Sequence, residues 1–246
     1  MSNYFKHCLV ISVLLLLPAV SVAGSFQVSP VRVTLSETSP TATINITNDS
    51  PSDDVVLQLR ASSWAQQDGE DAFTPSTDLL VTPPIFTIKA GGSQTVRVGL
   101  RKVVAGSVQQ TFRLFMTEVP PPPKEGFAGL QVSLSISIPV FVAPKMPVTG
   151  LPVWRAKMVG ASLEVSATNP ANSHVQIIEA NLNDEQDKNQ AALSLTPRYI
   201  LANQTVTWKL PLTQAPKGKL RIVARTDVPS MAINALVTMD APAATP

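Results

Sequence analysis

Cysteine and histidine are scarce in this chain of 246 residues, which has one cysteine and two histidines. Cys8 and His7 lie near the N-terminus, so His174 is the only such side chain in the rest of the sequence. That scarcity excludes a Cys/His metal cluster. A Ser-His-Asp triad could use only His174 as its histidine. His174 stands where a loop enters a strand, which favours a solvated side chain. A phosphate-cradling glycine motif is also missing, so we expect no enzyme, no metal and no cofactor.

Excess charge of either sign is missing as well. The 19 Lys and Arg residues nearly balance the 17 Asp and Glu residues, and one of the two surplus positive charges is Lys6. A protein that binds nucleic acid through phosphates needs a basic patch, and none is visible. We therefore expect no nucleic-acid partner.

A long apolar run occurs only near the N-terminus, at residues 8–20, after the single charge of Lys6. The small residues Ser21 and Ala23 follow it, and this order is typical of a secretory signal peptide cleaved after Ala23. The run is too short to favour a membrane span. The sequence predicts a signal peptide at 1–23, export of the mature chain and no membrane insertion.

Helical periodicity is absent from the remaining sequence, and short runs rich in Val, Ile, Thr and Leu recur between Pro, Gly, Asn and Asp clusters. This pattern is typical of β-sandwiches. Predicted strands lie at 26–35, 41–48, 55–64, 79–81, 85–88, 94–100, 110–118, 130–142, 153–158, 162–169, 175–182, 198–200, 204–209, 219–227 and 233–239. We expect an all-β protein with two sandwiches of about 100 residues each.

A cluster of three prolines and a glycine at 143–152 marks the predicted boundary between the two sandwiches. We assign residues 24–145 to the first domain and 146–241 to the second, and we expect residues 242–246 to form a disordered tail.

The run from Leu130 to Ile138 alternates large aliphatic residues with Gln or Ser over nine positions. Since side chains alternate across a strand, one face of this strand is apolar and the other is polar. Two interpretations are open: an ordinary strand with its apolar face on its own core, or a strand offered to another protein. The residues of the apolar face are Leu130, Val132, Leu134, Ile136 and Ile138.

Several runs together resemble the PapD family of periplasmic pilus chaperones, in order and in spacing. They are LVTPPIFTI at 80–88 with AGG at 90–92 and TVRV at 95–98, FRLF at 112–115 with EVPP at 118–121, the alternating run at 130–138, and ATNP at 167–170. The resemblance covers nearly the whole predicted mature chain.

This resemblance implies two immunoglobulin-like sandwiches arranged in an L or boomerang, and a periplasmic location. It implies donor-strand complementation, in which the chaperone lends a strand to a pilus or fimbrial subunit that lacks its last strand. The lent strand would be the alternating run, and the expected partners are pilus subunits and an outer-membrane usher. The run Thr82-Pro83 resembles a segment that contains a cis peptide in the family.

The resemblance also implies an anchor for the carboxylate at the subunit's C-terminus. The family's first-strand arginine matches Arg32, but its lysine position corresponds to Pro139. Arg113 is the candidate for the second basic group, because Phe112 and Leu114 would face the core and turn Arg113 to the other face. The alternative is that Arg113 is a solvated sheet arginine.

Further departures from the family pattern concern its branch and its interdomain contacts. The missing lysine suggests the archaic branch of the family. The family's interdomain ion network would map to Glu118 and Asp227, with Ala143 at the position of its arginine. The three tryptophans are expected to be core or domain-contact residues.

Two other functions stay open at the level of sequence. One is a structural fimbrial subunit or adhesin, although such a protein normally has one incomplete sandwich, whereas this chain has its alternating run inside a two-domain sequence. The other is a chaperone-like protein that serves a different secreted assembly.

Overall fold

The computed structural model describes residues 26–102, 106–122, 132–148, 150–184, 193–212, 216, 218–228 and 232–240. The predicted signal peptide at 1–23 and the predicted tail at 242–246 lie outside the described residues. Strands make up all the regular secondary structure of the described residues, and the predicted all-β class is confirmed. In these ranges no helix has the length and apolar composition that a membrane crossing requires.

The first domain consists of two packed sheets. Its strands are β1 (Phe26–Ser29), β2 (Val33–Leu35), β3 (Thr41–Asn48), β4 (Val55–Gln67), β5 (Glu70–Pro75), β6 (Leu79–Thr82), β7 (Ile85–Ile88), β8 (Ser93–Leu100), β9 (Gln110–Glu118) and β10 (Ser135–Val142). One sheet has the order β1-β3-β8-β6, the other β2-β10-β9-β4-β5, and β7 also pairs with β4. Alternate residues of these strands form one core, in which Ile44, Leu57 and Leu114 are fully buried.

The second domain is a separate sandwich with its own core. Its strands are β11 (Val153–Val159), β12 (Ser162–Thr168), β13 (Val175–Asp184), β14 (Leu193–Leu195), β15 (Arg198–Ile200), β16 (Thr205–Pro211), β17 (Leu220–Thr226), β18 (Ala232–Leu236) and β19 (Thr238–Met239). The sheets have the orders β16-β12-β11-β19 and β14-β13-β17-β18, with β15 on β13. Trp154 and Trp208 stack inside this core.

The predicted single strand at 26–35 is two strands that belong to opposite sheets of the first domain. β1 pairs with β3, whereas β2 pairs in parallel with β10. Pro30 lies between them and has no N–H for a ladder, which interrupts the pairing. The Ser29–Pro30 and Thr82–Pro83 peptide bonds are both cis, and the second confirms the expectation from the resemblance.

The hairpin of β4 and β5 contacts the second domain at its tip. Asp68 and Gly69 both have positive φ, 52° and 81°, as the two central residues of a tight hairpin turn require. A Cβ on Gly69 would meet the carbonyl oxygen of Thr205 at 3.4 Å. Glycine thus permits both the turn and the close approach to the second domain.

A small apolar cluster lies between the two cores. It consists of Trp64, Phe141 and Leu201, with Tyr199 packed against it. Trp64 and Phe141 come from the first domain and the other two from β15 and the residue after it. The prediction that the tryptophans are core or domain-contact residues is confirmed, since Trp64 is buried in this contact.

Candidate functional site

Strand β10 has one edge that is only partly paired. Along its whole length β10 pairs with β9, but on the other side β2 covers only Val140 to Val142. Among the described residues, no strand pairs with this second side at residues 135–139. We call these five residues the open edge. Unpaired backbone N–H and C=O groups on such an edge can receive another strand.

The chain before β10 continues along β9. The Glu118 backbone N–H donates to the Leu134 carbonyl at 2.9 Å, and the Leu134 N–H donates to the Glu118 side chain at 3.3 Å. The Ser133 hydroxyl donates to the Glu118 carbonyl. Glu118 therefore holds the lead-in to the open edge within the first domain, rather than joining an interdomain network.

The aliphatic row changes from exposed to buried along the strand. Val132 is 74% exposed, Leu134 is 39% exposed, and Ile136 is partly buried against the first core. Ile138 is 1% exposed and belongs to that core. Leu130 lies outside the described residues. Ile138 therefore packs on its own core, as the first interpretation requires, whereas Val132 and Leu134 are exposed.

Arg32, between β1 and β2, contacts the second domain. Its Nη1 donates to Asp227 Oδ2 at 2.7 Å, and its Nη2 donates to the Gln176 side-chain oxygen and to the Tyr199 hydroxyl. An arginine between apolar strands needs such partners, because an unpaired charge is costly when it is withdrawn from water. Arg32 finds them across the domain contact.

Arg113, on β9, lies on the outer sheet face, as the sequence pattern predicts. Phe112 and Leu114 beside it are buried in the first core. The Arg113 guanidinium stacks over the Trp64 ring, with Cζ 3.8 Å from the ring centroid, and its Nε is buried without a hydrogen-bond partner. Arg113 is therefore not the solvated arginine of the alternative interpretation.

Tyr199 brings the two predicted basic residues together. The Cζ atom of Arg32 lies 5.7 Å from the centroid of the Tyr199 ring, and that of Arg113 lies 5.3 Å from it. We call Arg32, Arg113 and Tyr199 the anchor cluster. Burial lowers the pKa of Arg113, and the negative charge of Asp71 opposes this effect only in part. A half-buried cation in this position can gain from an anionic ligand.

Asp227 is the acidic member of the domain contact. Burial by itself raises the pKa of Asp227, but interactions with His174, the Gln176 backbone N–H and Arg32 outweigh burial and lower the pKa to about 2. Asp227 is thus a stable anion that ties Arg32 to the second domain.

The prediction that His174 is solvated is wrong. Its ring stacks on Phe141 with centroids 3.6 Å apart, and its side chain is only 11% exposed. The Gln109 side-chain oxygen lies 2.7 Å from His174 Nδ1, and Nε2 lies 3.5 Å from Asp227. Entry into a strand does not reveal that the first domain covers this residue.

Sequence reasoning also missed two amides that join the domains. Gln66 donates to the Tyr199 carbonyl at 2.9 Å and accepts from the Leu201 N–H at 3.0 Å. Asn172 donates to the carbonyls of Ser107 and Met146. These pairs are far apart in sequence and no local pattern indicates them. In the described part of the chain, no group of three or more His, Cys, Asp or Glu side chains is arranged to hold a metal ion.

Comparison with known proteins identifies a family for the first domain. Residues 25–147 match the family model for the N-terminal domain of PapD, a pili and flagellar-assembly chaperone. A search of curated proteins finds no match.

Solved structures with the same fold come from several bacteria. In the CsuC–CsuE chaperone–tip subunit complex of the archaic Csu pili of Acinetobacter baumannii, the similar chain has a TM-score of 0.65 and 19% identity, over 88% of this chain and 100% of that chain. The E. coli chaperone DraB has a TM-score of 0.59 and 20% identity, over 87% of this chain and 97% of that chain. In the complex of the SafA pilin and the SafB chaperone of Salmonella enterica, the similar chain has a TM-score of 0.59 and 16% identity, over 88% of this chain and 98% of that chain. The likeness in fold therefore extends through both domains.

Proposed function

This chain belongs to the family of pili and flagellar-assembly chaperones, and on that premise we propose that it is a periplasmic chaperone for pilus or fimbrial subunits. It binds and caps a subunit by donor-strand complementation, assists its folding and delivers it to an outer-membrane usher. Residues 1–23 direct export, and residues 24–145 and 146–241 are the two domains. Members of the family are assembly chaperones rather than enzymes.

The open edge of β10 is the observation that carries this proposal. A subunit that lacks its last strand has an unpaired sheet edge and an apolar groove, and one added strand can complete both. The exposed Val132 and Leu134 and the partly buried Ile136 are the side chains available for the groove. Leu130 is a further donor candidate from the sequence. Each filled position contributes about 1.5–3 kcal/mol before the cost of association is subtracted.

The anchor cluster supplies the second part of the interaction. We propose that Arg32 and Arg113 hold the subunit's C-terminal carboxylate, and that this contact fixes the register of the added strand. A slip by one residue would turn every aliphatic side chain to the wrong face. Proline at position 139 instead of the family's lysine, together with the likeness to CsuC, supports the archaic branch.

Co-purification of the periplasmic protein with pilin subunits encoded beside its gene tests the proposal. The unaltered chaperone should retain a subunit, and the double variant Val132→Ser/Leu134→Ser should remain folded but lose it. A matched control is Val153→Ser/Leu236→Ser, which alters two exposed apolar residues of the second domain. Equal subunit recovery with the Val132→Ser/Leu134→Ser variant and the control would rule out the donor role.

A further inference from the structure

Most of the hydrogen-bonding capacity of Arg32 at the Nη atoms is already used. Its Nη2 donates to both Gln176 and Tyr199, and its Nη1 donates to Asp227. A carboxylate that binds an arginine in bidentate fashion needs two parallel N–H donors. Arg32 cannot offer its Nη pair to a subunit while it keeps these contacts, so other donors must complete the site.

Arg113, unlike Arg32, has N–H donors that are not used by the described residues. Its guanidinium has five N–H donors, and no side-chain or backbone acceptor in the described ranges takes one of them. Stacking on Trp64 holds its plane, and the buried Nε has no partner. Asp71 offsets the burial of this cation only in part, and the N–H groups of Arg113 therefore remain available to an anionic ligand.

Tyr199 offers one more donor next to both arginines. Its hydroxyl oxygen accepts from Arg32 at 3.2 Å, and no acceptor in the described ranges takes its proton. A hydroxyl that accepts a bond from a cation is polarised and becomes a better donor. The ring is held edge-on to Trp64, at 5.3 Å between centroids, and the backbone carbonyl is held by Gln66. The position of the hydroxyl oxygen is thus fixed before a ligand arrives.

We propose that the Tyr199 hydroxyl is the third group of the carboxylate anchor, so that one ligand is held by both domains. This inference rests on the proposed function and adds the second domain to the binding site. Arg113 provides the charge-assisted fork and Tyr199 donates its O–H. Arg32 adds its positive charge to the site, and its bonds to Asp227 and Tyr199 hold the tyrosine in place. A carboxylate, which has room for about four donors, matches this set.

The test uses the mature chaperone and the pilin subunit that co-purifies with it, with its native C-terminus or extended by a short neutral tag. Tyr199→Phe keeps the ring and removes only the hydroxyl. We expect Tyr199→Phe to weaken binding of the native subunit about tenfold, as for a lost bond to a charged group, and to leave binding of the tagged subunit unchanged. Ser63→Ala, which removes a hydroxyl bonded within the first domain, is the control and should bind both subunits normally. Thermal unfolding verifies that both variants are folded.

The outcomes separate the two proposals. If the unaltered protein binds native and tagged subunits equally, the carboxylate anchor itself fails, and the role of Tyr199 fails with it. If the tag weakens the unaltered protein but Tyr199→Phe binds the native subunit normally, the anchor stands without Tyr199. Equal weakening of both subunits by Tyr199→Phe would show a packing role and would also overturn the inference.

Discussion

At the scale of single residues, the charged groups between the domains have divided roles. Arg32 and Asp227 form an ion pair at 2.7 Å across the domain contact, whereas Arg113 lacks an acceptor among the described residues. The resemblance to the PapD family singled out Arg32, which matches the family's first-strand arginine. The resemblance placed Asp227 in an interdomain ion network, but its pairing with Arg32, 195 positions away, could not be predicted from local sequence.

Asp227 should make stability depend on acid pH. Its folded-state pKa of about 2 lies below the ordinary value of 3.8, so its stabilising effect is complete above that value and is lost as the pH falls toward 2. We expect Asp227→Asn to remove on the order of 2 kcal/mol of this dependence. Urea unfolding of both proteins at about pH 6 and about pH 3 captures roughly half of this effect, about 1 kcal/mol, because the carboxylate is still mostly ionised in the folded protein at pH 3. An equal pH dependence in the variant and the unaltered protein would contradict the role of Asp227.

At the scale of the element, exposure changes along β10 and the residues that lead into it. Its C-terminal half is closed by β2 and buried, whereas its lead-in exposes Val132 and Leu134. The alternating sequence correctly indicated a strand with an apolar face. It did not indicate where the face changes from core to exposed, because that point depends on how far β2 extends alongside β10.

The change in burial from Val132 to Ile138 predicts different effects on stability when each side chain is truncated to alanine. Ile138→Ala should lower the free energy of unfolding by about 2–5 kcal/mol, since it opens a cavity in the first core. Val132→Ala should change it by less than about 0.5 kcal/mol, because that side chain is exposed. Chemical denaturation of the chaperone without a subunit gives both values. Similar losses in the two variants would mean that the row is not divided in this way.

Other elements show what limits prediction from sequence. The strand at 198–200 was predicted with its observed bounds, and the Val- and Ile-rich strands were predicted within a few residues. Strand β5 was missed, because Glu70–Pro75 is polar and mostly exposed and has no alternating pattern. It is a strand because the tight turn at Asp68 and Gly69 returns the chain alongside β4.

At the scale of the whole molecule, side-chain amides fasten one sandwich to the other. Gln66 is buried and satisfies the carbonyl of Tyr199 and the N–H of Leu201. The hairpin tip adds a further contact, because Arg198 of the second domain donates to the Gly69 carbonyl at 2.6 Å. The domain arrangement therefore positions Tyr199 relative to Arg113, which belongs to the other domain.

Removal of the Gln66 amide should loosen this arrangement. Gln66→Ala leaves two backbone groups of the second domain without partners, at a cost of about 1–3 kcal/mol each. Hydrogen exchange at the Leu201 amide should accelerate, while amides in the core of β13 stay protected. Gln94→Ala, which removes an amide bonded to the neighbouring Thr95 carbonyl, is the control. An unchanged exchange rate at Leu201 would show that Gln66 does not hold the domains.

The most direct test of the donor-strand account is hydrogen exchange along β10 with and without a bound pilin subunit. In the free chaperone, amides of residues 135–138 that point away from β9 should exchange quickly, whereas those bonded to β9 exchange slowly. A bound subunit should protect the outward amides, because its own strand pairs with the open edge. If the outward amides exchange equally fast in a confirmed chaperone–subunit complex, β10 does not donate a strand.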